Sequence, residues 1–286
     1  MGYKPTIIFN TSAINRLAGE QDSSAVLAGL RSGFLVRVMI NNFSEMAATR
    51  SPERRTQLIS FATTLSSIGE CIFPFNWLLE LHIKDFERND GYDWRQVPLR
   101  SPRLQELMIQ DGVFTDDLAK EELKCSTQLQ DDFEKFFNGL RPEYERIFDS
   151  IGTRFRDFRE FRALMFGDNG SYWELAAEVY RHEVSTPPSA EKVKRFVDAC
   201  PPFHAILLAH ARALYERCVP EKPVTTVKKL AGRVDTYMSI YLPYCDDFIT
   251  ADQDQYRCFK TVVSELELST TVRTYEEFRR RLLLCA

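Results

Sequence analysis

The feature that most constrains the fold is an apolar run near the N-terminus, residues 6–14, with the sequence TIIFNTSAI. Short apolar runs bounded by turn-forming residues are typical of strands buried in a parallel sheet. Thr11 or Ser12 can cap the helix that follows such a strand. Asn10 comes directly after the strand, and in open α/β sheets ligands bind just beyond the carboxyl ends of the strands. The sequence therefore places Asn10 at a candidate binding site.

A second segment near the C-terminus also has a short apolar strand followed by polar residues. Residues 244–250, with the sequence YCDDFIT, form a predicted strand, and Asp252 follows it, with Asp254 two positions later. Because parallel strands end at the same edge of a sheet, we expect both strand ends to contribute to one site.

Strand and helix patterns alternate through the first 86 residues, which is the order of an α/β protein with a mainly parallel sheet. Further strands are predicted over residues 34–40 and 71–74. A helix capped by Asn42 or Ser44 follows residues 34–40. Glu45 is predicted to lie in its first turn, where an acid is favourable at the positive end of the helix dipole.

The middle of the chain has a different character, because residues 102–218 show helical periodicity and almost no strand pattern. Apolar residues recur at helical spacing, as at Phe133, Phe136, Phe137 and Leu140. We see no internal repeat, which argues against a solenoid. The pattern predicts a helical insertion over residues 91–221, within an α/β core formed by residues 1–90 and 222–286.

The α/β pattern resumes after the helical block. Residues 224–242 form a predicted helix or helix pair that contains Asp235. After the strand YCDDFIT and another helix, a strand is predicted around residues 266–272. Thr274 and Glu277 then have the spacing of a capping box, which predicts the start of the last helix.

Composition limits the class of protein. The chain has 286 residues, a formal net charge of −4 and a pI near 5.7, so it lacks an overall basic surface for nucleic acid. No apolar run reaches the length of a membrane span, and the N-terminus lacks the layout of a signal peptide. The seven cysteines have no C-x-x-C spacing, which indicates reduced thiols in a cytoplasmic protein and argues against structural zinc.

The two strand ends resemble those of the PIN-domain nucleases. In that family the first strand usually ends in Asp-Thr-Ser or Asp-Thr-Asn, and a later strand ends in Thr-x-Asp. Here the sequence is NTS at residues 10–12 and TAD at residues 250–252. The resemblance covers residues 5–86 and 225–280. It implies a three-layer α/β/α fold with a central, mainly parallel sheet, and it leaves the helical block unexplained.

The resemblance also implies a set of site residues. The four acidic positions of the family correspond to Asn10, Glu45, Asp235 and Asp252. Accessory positions are Thr11, Thr250 and Asp254. Crowded carboxylates need a hard cation, and Mg²⁺ or Mn²⁺ prefers oxygen ligands. Because a bound metal can activate water for attack on a phosphodiester, we expect a metal-dependent endoribonuclease of the PIN-like type.

Asn10 departs from the family pattern, since its amide offers one oxygen and no charge to a metal ion. One explanation is that the site is naturally disabled. The other is an introduced substitution of a native Asp, and the retention of the other three acids favours it. Three functions follow: an RNA nuclease, a catalytically silent module that binds RNA or a protein, and a structure-specific DNA nuclease. An inhibitory protein partner and self-association stay open.

An arginine-rich segment over residues 154–162 interleaves basic and aromatic side chains. Its cations, which are candidates for binding RNA, are Arg154, Arg156, Arg159 and Arg162. Arginine with aromatic residues suits single-stranded RNA, through phosphate pairing and base stacking. However, Phe155, Phe158 and Phe161 recur every three residues, and this spacing favours a buried stripe beneath a charged outer face.

Overall fold

The computed structural model describes residues 3–20, 23–100, 116–151, 155–167, 170–181, 188–219 and 232–285. Within these residues the chain forms a five-stranded sheet in which every strand pair is parallel. The strands are β1 (Thr6–Phe9), β2 (Leu35–Met39), β3 (Glu70–Ile72), β4 (Asp247–Thr250) and β5 (Thr271–Thr274). The sheet confirms the predicted α/β class.

The strand order is β3-β2-β1-β4-β5, so the first strand lies at the centre of the sheet. Ile8 of β1 is in register with Arg37 of β2 and Phe248 of β4. The chain first adds strands on one side of β1 and later on the other side. The carboxyl ends of β1 and β4 therefore form the topological switch point, where ligands bind in open α/β sheets.

The helices of the first half connect and cover the sheet. They are α1 (Thr11–Leu17), α2 (Ser23–Gly33), α3 (Ile40–Ala47), α4 (Pro52–Ile68) and α5 (Phe75–Arg88). The predicted start of α3 was wrong, because the helix begins at Ile40 and Glu45 lies in its second turn. The physical reason is Asn42, whose side-chain oxygen accepts a hydrogen bond from the backbone N–H of Met39 at 3.0 Å. This bond caps the helix earlier than the sequence indicated.

The described part of the middle block is helical, as predicted. Its helices are α6 (Asp116–Ile151), α7 (Phe158–Met165), α8 (Tyr172–Arg181), α9 (Ala190–Ala199) and α10 (Pro201–Cys218). Pro142 lies inside α6, which continues past it for nine residues to Ile151. Residues 102–115, which belong to the same prediction, lie outside the described part of the chain.

The last part of the chain returns to the sheet. It contains α11 (Arg233–Met238), a 3-10 turn (Ser239–Tyr244), α12 (Gln253–Glu265) and α13 (Tyr275–Cys285). Residues 224–231 of the predicted helix lie outside the described residues. The capping box at α13 is confirmed, since Thr274 Oγ1 accepts from the N–H of Glu277 at 3.2 Å and Glu277 Oε2 accepts from the N–H of Thr274 at 2.8 Å.

Two strands begin later than the sequence predicted. The strand predicted from residue 244 begins at Asp247, because the preceding 3-10 turn, which contains Pro243, extends to Tyr244. The strand predicted around residues 266–272 begins only at Thr271. Glu267, with a φ of 52°, has left-handed backbone and turns the chain back before that strand can start.

Both faces of the sheet are buried by apolar side chains. On one face, Ile7, Phe9 and Val36 pack with residues of α1, α2, α4 and α13. On the other face, Ile8 and Phe248 pack with residues of α5, α10 and α12. Because alternate residues of a strand point to opposite faces, a continuous apolar run is what such a sheet requires.

Helix α10 links the helical block to the sheet. Twelve of its eighteen residues are buried, and it packs against the 3-10 turn, α6 and α12. Its apolar residues belong to the same cluster as Phe248 of β4. The division into a core of residues 1–90 and 222–286 and an insertion over 91–221 stays a prediction, but α10 is part of the core under the sheet.

No helix among the described residues is both long and apolar enough to cross a membrane. Six cysteines with described side chains are unpaired, and five of them are buried, the exception being Cys125. The predicted reduced thiols agree with this arrangement.

Candidate functional site

Asn10 lies at the switch point, where it joins the ends of the two central strands. Its backbone N–H donates to the carbonyl oxygen of Ile249 at 2.9 Å. Its side-chain oxygen caps α1 by accepting from the N–H of Ala13 at 3.0 Å, and it also accepts from Ser12 Oγ at 2.5 Å. Asn10 is 4 % exposed. Both lone pairs of its amide oxygen are therefore already used within the protein.

Gln255, which the sequence interpretation did not include, connects two of the predicted site residues. Its side-chain oxygen accepts from Asn10 Nδ2 at 2.7 Å, and its Nε2 donates to Asp235 Oδ1 at 3.0 Å. Gln255 is fully buried. One amide thus joins the end of β1 to the helix α11, which carries Asp235. The available signal was its position three residues after Asp252, the capping-box spacing for a Gln.

Asp252 caps the N-terminus of α12. Its Oδ1 accepts from the backbone N–H groups of Asp254 at 2.7 Å and Gln255 at 2.9 Å. Its own N–H donates to Thr250 Oγ1 at 3.0 Å, which explains the hydroxyl residue two positions before the acid. Asp254 forms an ion pair with Arg257 one turn further along α12. The cap fixes the carboxyl group of Asp252 at the end of β4.

Glu45 reaches the same edge of the sheet from α3. Its carboxylate accepts a hydrogen bond from Thr11 Oγ1, directly after Asn10 in the chain. Thr11 Oγ1 in turn accepts from Asn42 Nδ2 at 3.0 Å. Asn42 is fully buried and also caps α3, so the position of Glu45 is set by the helix that carries it and by the end of β1.

The charges of neighbouring acids affect the ionisation of two of the carboxylates. Burial raises the pKa of Glu45 from 4.5 to about 7, and the charge of Asp235 adds to the rise although the hydrogen bond from Thr11 opposes it. Burial also raises the pKa of Asp235 from 3.8 to about 6. The N–H of Gly232 opposes that rise, while the charges of Asp252 and Asp254 add to it. We call Glu45, Asp235, Asp252 and Asp254 the acidic cluster.

The helical block borders the acidic cluster through α6. This helix packs against α3, which carries Glu45, and against α11, which carries Asp235. Gln130 of α6 accepts a hydrogen bond from the backbone N–H of Arg233 at 3.0 Å, two residues before Asp235. The structure therefore brings together the predicted residues from both ends of the chain and places one helix of the middle block beside them.

The fit of the cluster to a divalent cation is incomplete. Its ligand atoms are oxygens, which is the donor type that Mg²⁺ and Mn²⁺ require. However, among the described residues no group of three or more His, Cys, Asp or Glu side chains is arranged to hold a metal ion. Both oxygens of Asp235 accept hydrogen bonds from protein donors, at 3.0 Å each. No catalytic step through a cation follows from this arrangement.

The arginine-rich segment lies away from the acidic cluster. Arg162 forms an ion pair with Glu265, the last residue of α12, whereas Asp252 caps the first turn of that helix. A helix of thirteen residues is about 20 Å long. Phe158 and Phe161 are buried, as the stripe interpretation predicted. Arg156 and Arg159 are exposed on the outer face, and Arg154 lies outside the described residues.

No protein-family model, curated protein or solved structure matches the chain.

Proposed function

We propose that this chain is a PIN-like, metal-dependent endoribonuclease with its reaction centre at the acidic cluster. The observation that carries the proposal is the hydrogen-bonded connection from Asn10 through Gln255 to Asp235, at 2.7 and 3.0 Å. It joins residues 225 positions apart at the switch point of a parallel sheet, the usual ligand site in such folds. Helices on both faces of the sheet agree with the three-layer α/β/α arrangement of a PIN-like fold.

The ionisation of the cluster supports a chemical role. Carboxyl groups whose pKa is raised by burial and by neighbouring acids are enriched at functional sites, because crowding them costs stability without a ligand. Glu45 and Asp235, with pKa values of about 7 and 6, fit this description. Mg²⁺ or Mn²⁺ is the cofactor that a phosphodiesterase with oxygen ligands would use.

A second candidate function is a catalytically silent PIN-like module that binds RNA. It is favoured by Asn10, because the amide donates to Gln255 and its oxygen accepts from Ala13 and Ser12. Because both lone pairs of the Asn10 amide oxygen accept hydrogen bonds within the protein, this oxygen is a poor ligand for a cation. The two candidates share the fold and the nucleic acid and differ only in chemistry.

Cleavage of a mixed RNA pool with Mn²⁺, with Mg²⁺ or with a chelator distinguishes the two candidates. We expect Asn10→Asp to cut RNA at least tenfold faster than the natural sequence, and only with metal. Asp252→Asn in the Asn10→Asp background should abolish that cleavage, and since Asn caps helices as well as Asp does, the fold should be kept. Absence of metal-dependent cleavage in Asn10→Asp would leave the silent module as the function.

A further inference from the structure

A cleft of about 340 Å³ opens between the first half of α6 and the segment that follows α3. Three cationic side chains line it: Arg50, Lys120 and Lys124. Among the described residues that line the cleft, one is acidic, Asp131. In a protein with a net charge of −4, this is a local concentration of positive charge, and such a cleft attracts anions.

The cleft and the acidic cluster are connected by the same two helices. Glu45 lies on α3, and Arg50 follows five residues later. On α6, Lys124 lines the cleft and Gln130 contacts the backbone beside Asp235. Six residues of helix span about 9 Å, so Lys124 and Gln130 lie about that far apart along α6.

The lining indicates which part of a ligand the cleft would contact. Besides the charged residues, the described part of the lining consists of Leu123, Thr127 and Gln128, and this part includes no aromatic ring. Lysine and arginine bind phosphate oxygens, whereas bases are bound by stacking on aromatic side chains. The described lining therefore suits a phosphate backbone.

We propose that this cleft binds the phosphodiester backbone of single-stranded RNA and directs the strand to the acidic cluster. The inference rests on the proposed function, because it takes RNA as the ligand of that site. Binding through phosphates does not depend on base sequence, and it weakens steeply with salt.

Fluorescence anisotropy with a labelled, mixed-sequence single-stranded RNA tests the cleft, with a chelator present so that cleavage cannot contribute. The variants are Arg50→Glu, Lys124→Glu and the milder Lys124→Gln. The matched control is Lys135→Glu, an exposed lysine of the same helix outside the cleft lining. Thermal melting of each variant checks folding.

We expect each Glu variant to raise Kd about tenfold and Lys124→Gln to raise it less, while Lys135→Glu stays within about twofold of the natural sequence. The slope of log K against log salt should fall by about 0.7 for each phosphate contact removed. Single-stranded DNA of equal length should lose affinity by the same factor, because the contacts are to phosphates. RNA affinity that is undetectable, or unchanged by the cleft variants, would overturn the inference.

Failure of the inference can be told apart from failure of the proposed function. Binding that depends on the cleft without any cleavage by Asn10→Asp would support the cleft and reject the nuclease. Metal-dependent cleavage by Asn10→Asp that Arg50→Glu and Lys124→Glu leave unchanged, together with unchanged binding, would support the nuclease and reject the cleft.

Discussion

Asn10 donates a hydrogen bond from its side-chain amide to the side-chain oxygen of Gln255 at 2.7 Å, although 245 positions separate the two residues. Gln255 then donates from its own amide to Asp235 at 3.0 Å. With Asp at position 10, the amide of Gln255 would donate to one of the two carboxylates while its oxygen faced the other.

The first prediction concerns Asn10→Asp. Without divalent ions we expect the variant to fold and to lose about 1–3 kcal/mol of unfolding free energy, because the oxygen of Gln255 then faces a carboxylate. Mn²⁺ should raise its melting temperature more than that of the natural sequence, since the added charge favours a cation. Melting with and without Mn²⁺ measures both effects. The control is Asn15→Asp on the same helix, and equal Mn²⁺ shifts in the two variants would contradict the prediction.

The second prediction concerns Gln255→Leu. The substitution leaves the amide of Asn10 and an oxygen of Asp235 without their partner. Because an unpaired buried polar group costs about 1–3 kcal/mol, we expect the free energy of unfolding to fall by at least that amount. Combined with Asn10→Leu, it forms a double-mutant cycle that should give a coupling of about 0.5–3 kcal/mol, measured by urea unfolding. Strictly additive losses would show that the two amides do not interact in solution.

The sequence located the strand ends but not the amide between them. Apolar runs followed by a polar residue marked Asn10 and Asp252, because a strand buried on both faces must be apolar throughout. Gln255 carries no charge and lies on an amphipathic helix, where its identity alone does not reveal that it is buried. Its role depends on the crossing of α12 over the end of β1, which is a tertiary relationship.

The errors in the fold have a similar origin. The start of β5 depends on the left-handed backbone at Glu267, which is not a residue that usually marks such a turn. The start of α3 depends on a side chain inside the helix, Asn42, rather than on a cap before it. In each case a contact made after folding decided a boundary.

The third prediction concerns Gly69, which joins α4 to β3. A Cβ atom at this position would lie 2.0 Å from the carbonyl oxygen of Val36 in β2, so the strands would have to move apart. We expect Gly69→Ala to destabilise the protein by about 1–3 kcal/mol, the usual cost of overpacking. Gly33→Ala is the control, because no heavy atom lies within 4 Å of its Cβ position. Urea unfolding that ranks the two variants equally would be evidence against this crossing of α4 and β2.

The last prediction concerns pH and the buried residue His82. Its ring nitrogens contact the hydroxyl groups of Tyr92 at 2.8 Å and Tyr244 at 2.5 Å, and it is fully buried. Burial lowers the pKa of His82 from 6.5 to about 3 in the folded protein. Below pH 6.5, His82 therefore becomes protonated in the unfolded chain. In the folded protein it stays neutral until the pH falls to about 3. Stability is lost as the pH falls through this window.

Between pH 7 and pH 5 the titration of His82 should lower the free energy of unfolding of the natural sequence by about 2 kcal/mol. The loss is about 1.36 kcal/mol for each pH unit below the pKa of 6.5 in the unfolded chain. His82→Gln removes the titration. We expect the variant to be less stable at pH 8, where the difference reports packing and hydrogen bonds alone, and to approach the natural sequence as the pH falls to 5. The contributions of His204 and His210 are present in both proteins and cancel in the difference.

Urea unfolding of both proteins at pH 8, 7, 6 and 5 measures how the free energy of unfolding of each depends on pH. Equal slopes in the two proteins would show that His82 titrates in the folded protein as it does in the unfolded chain.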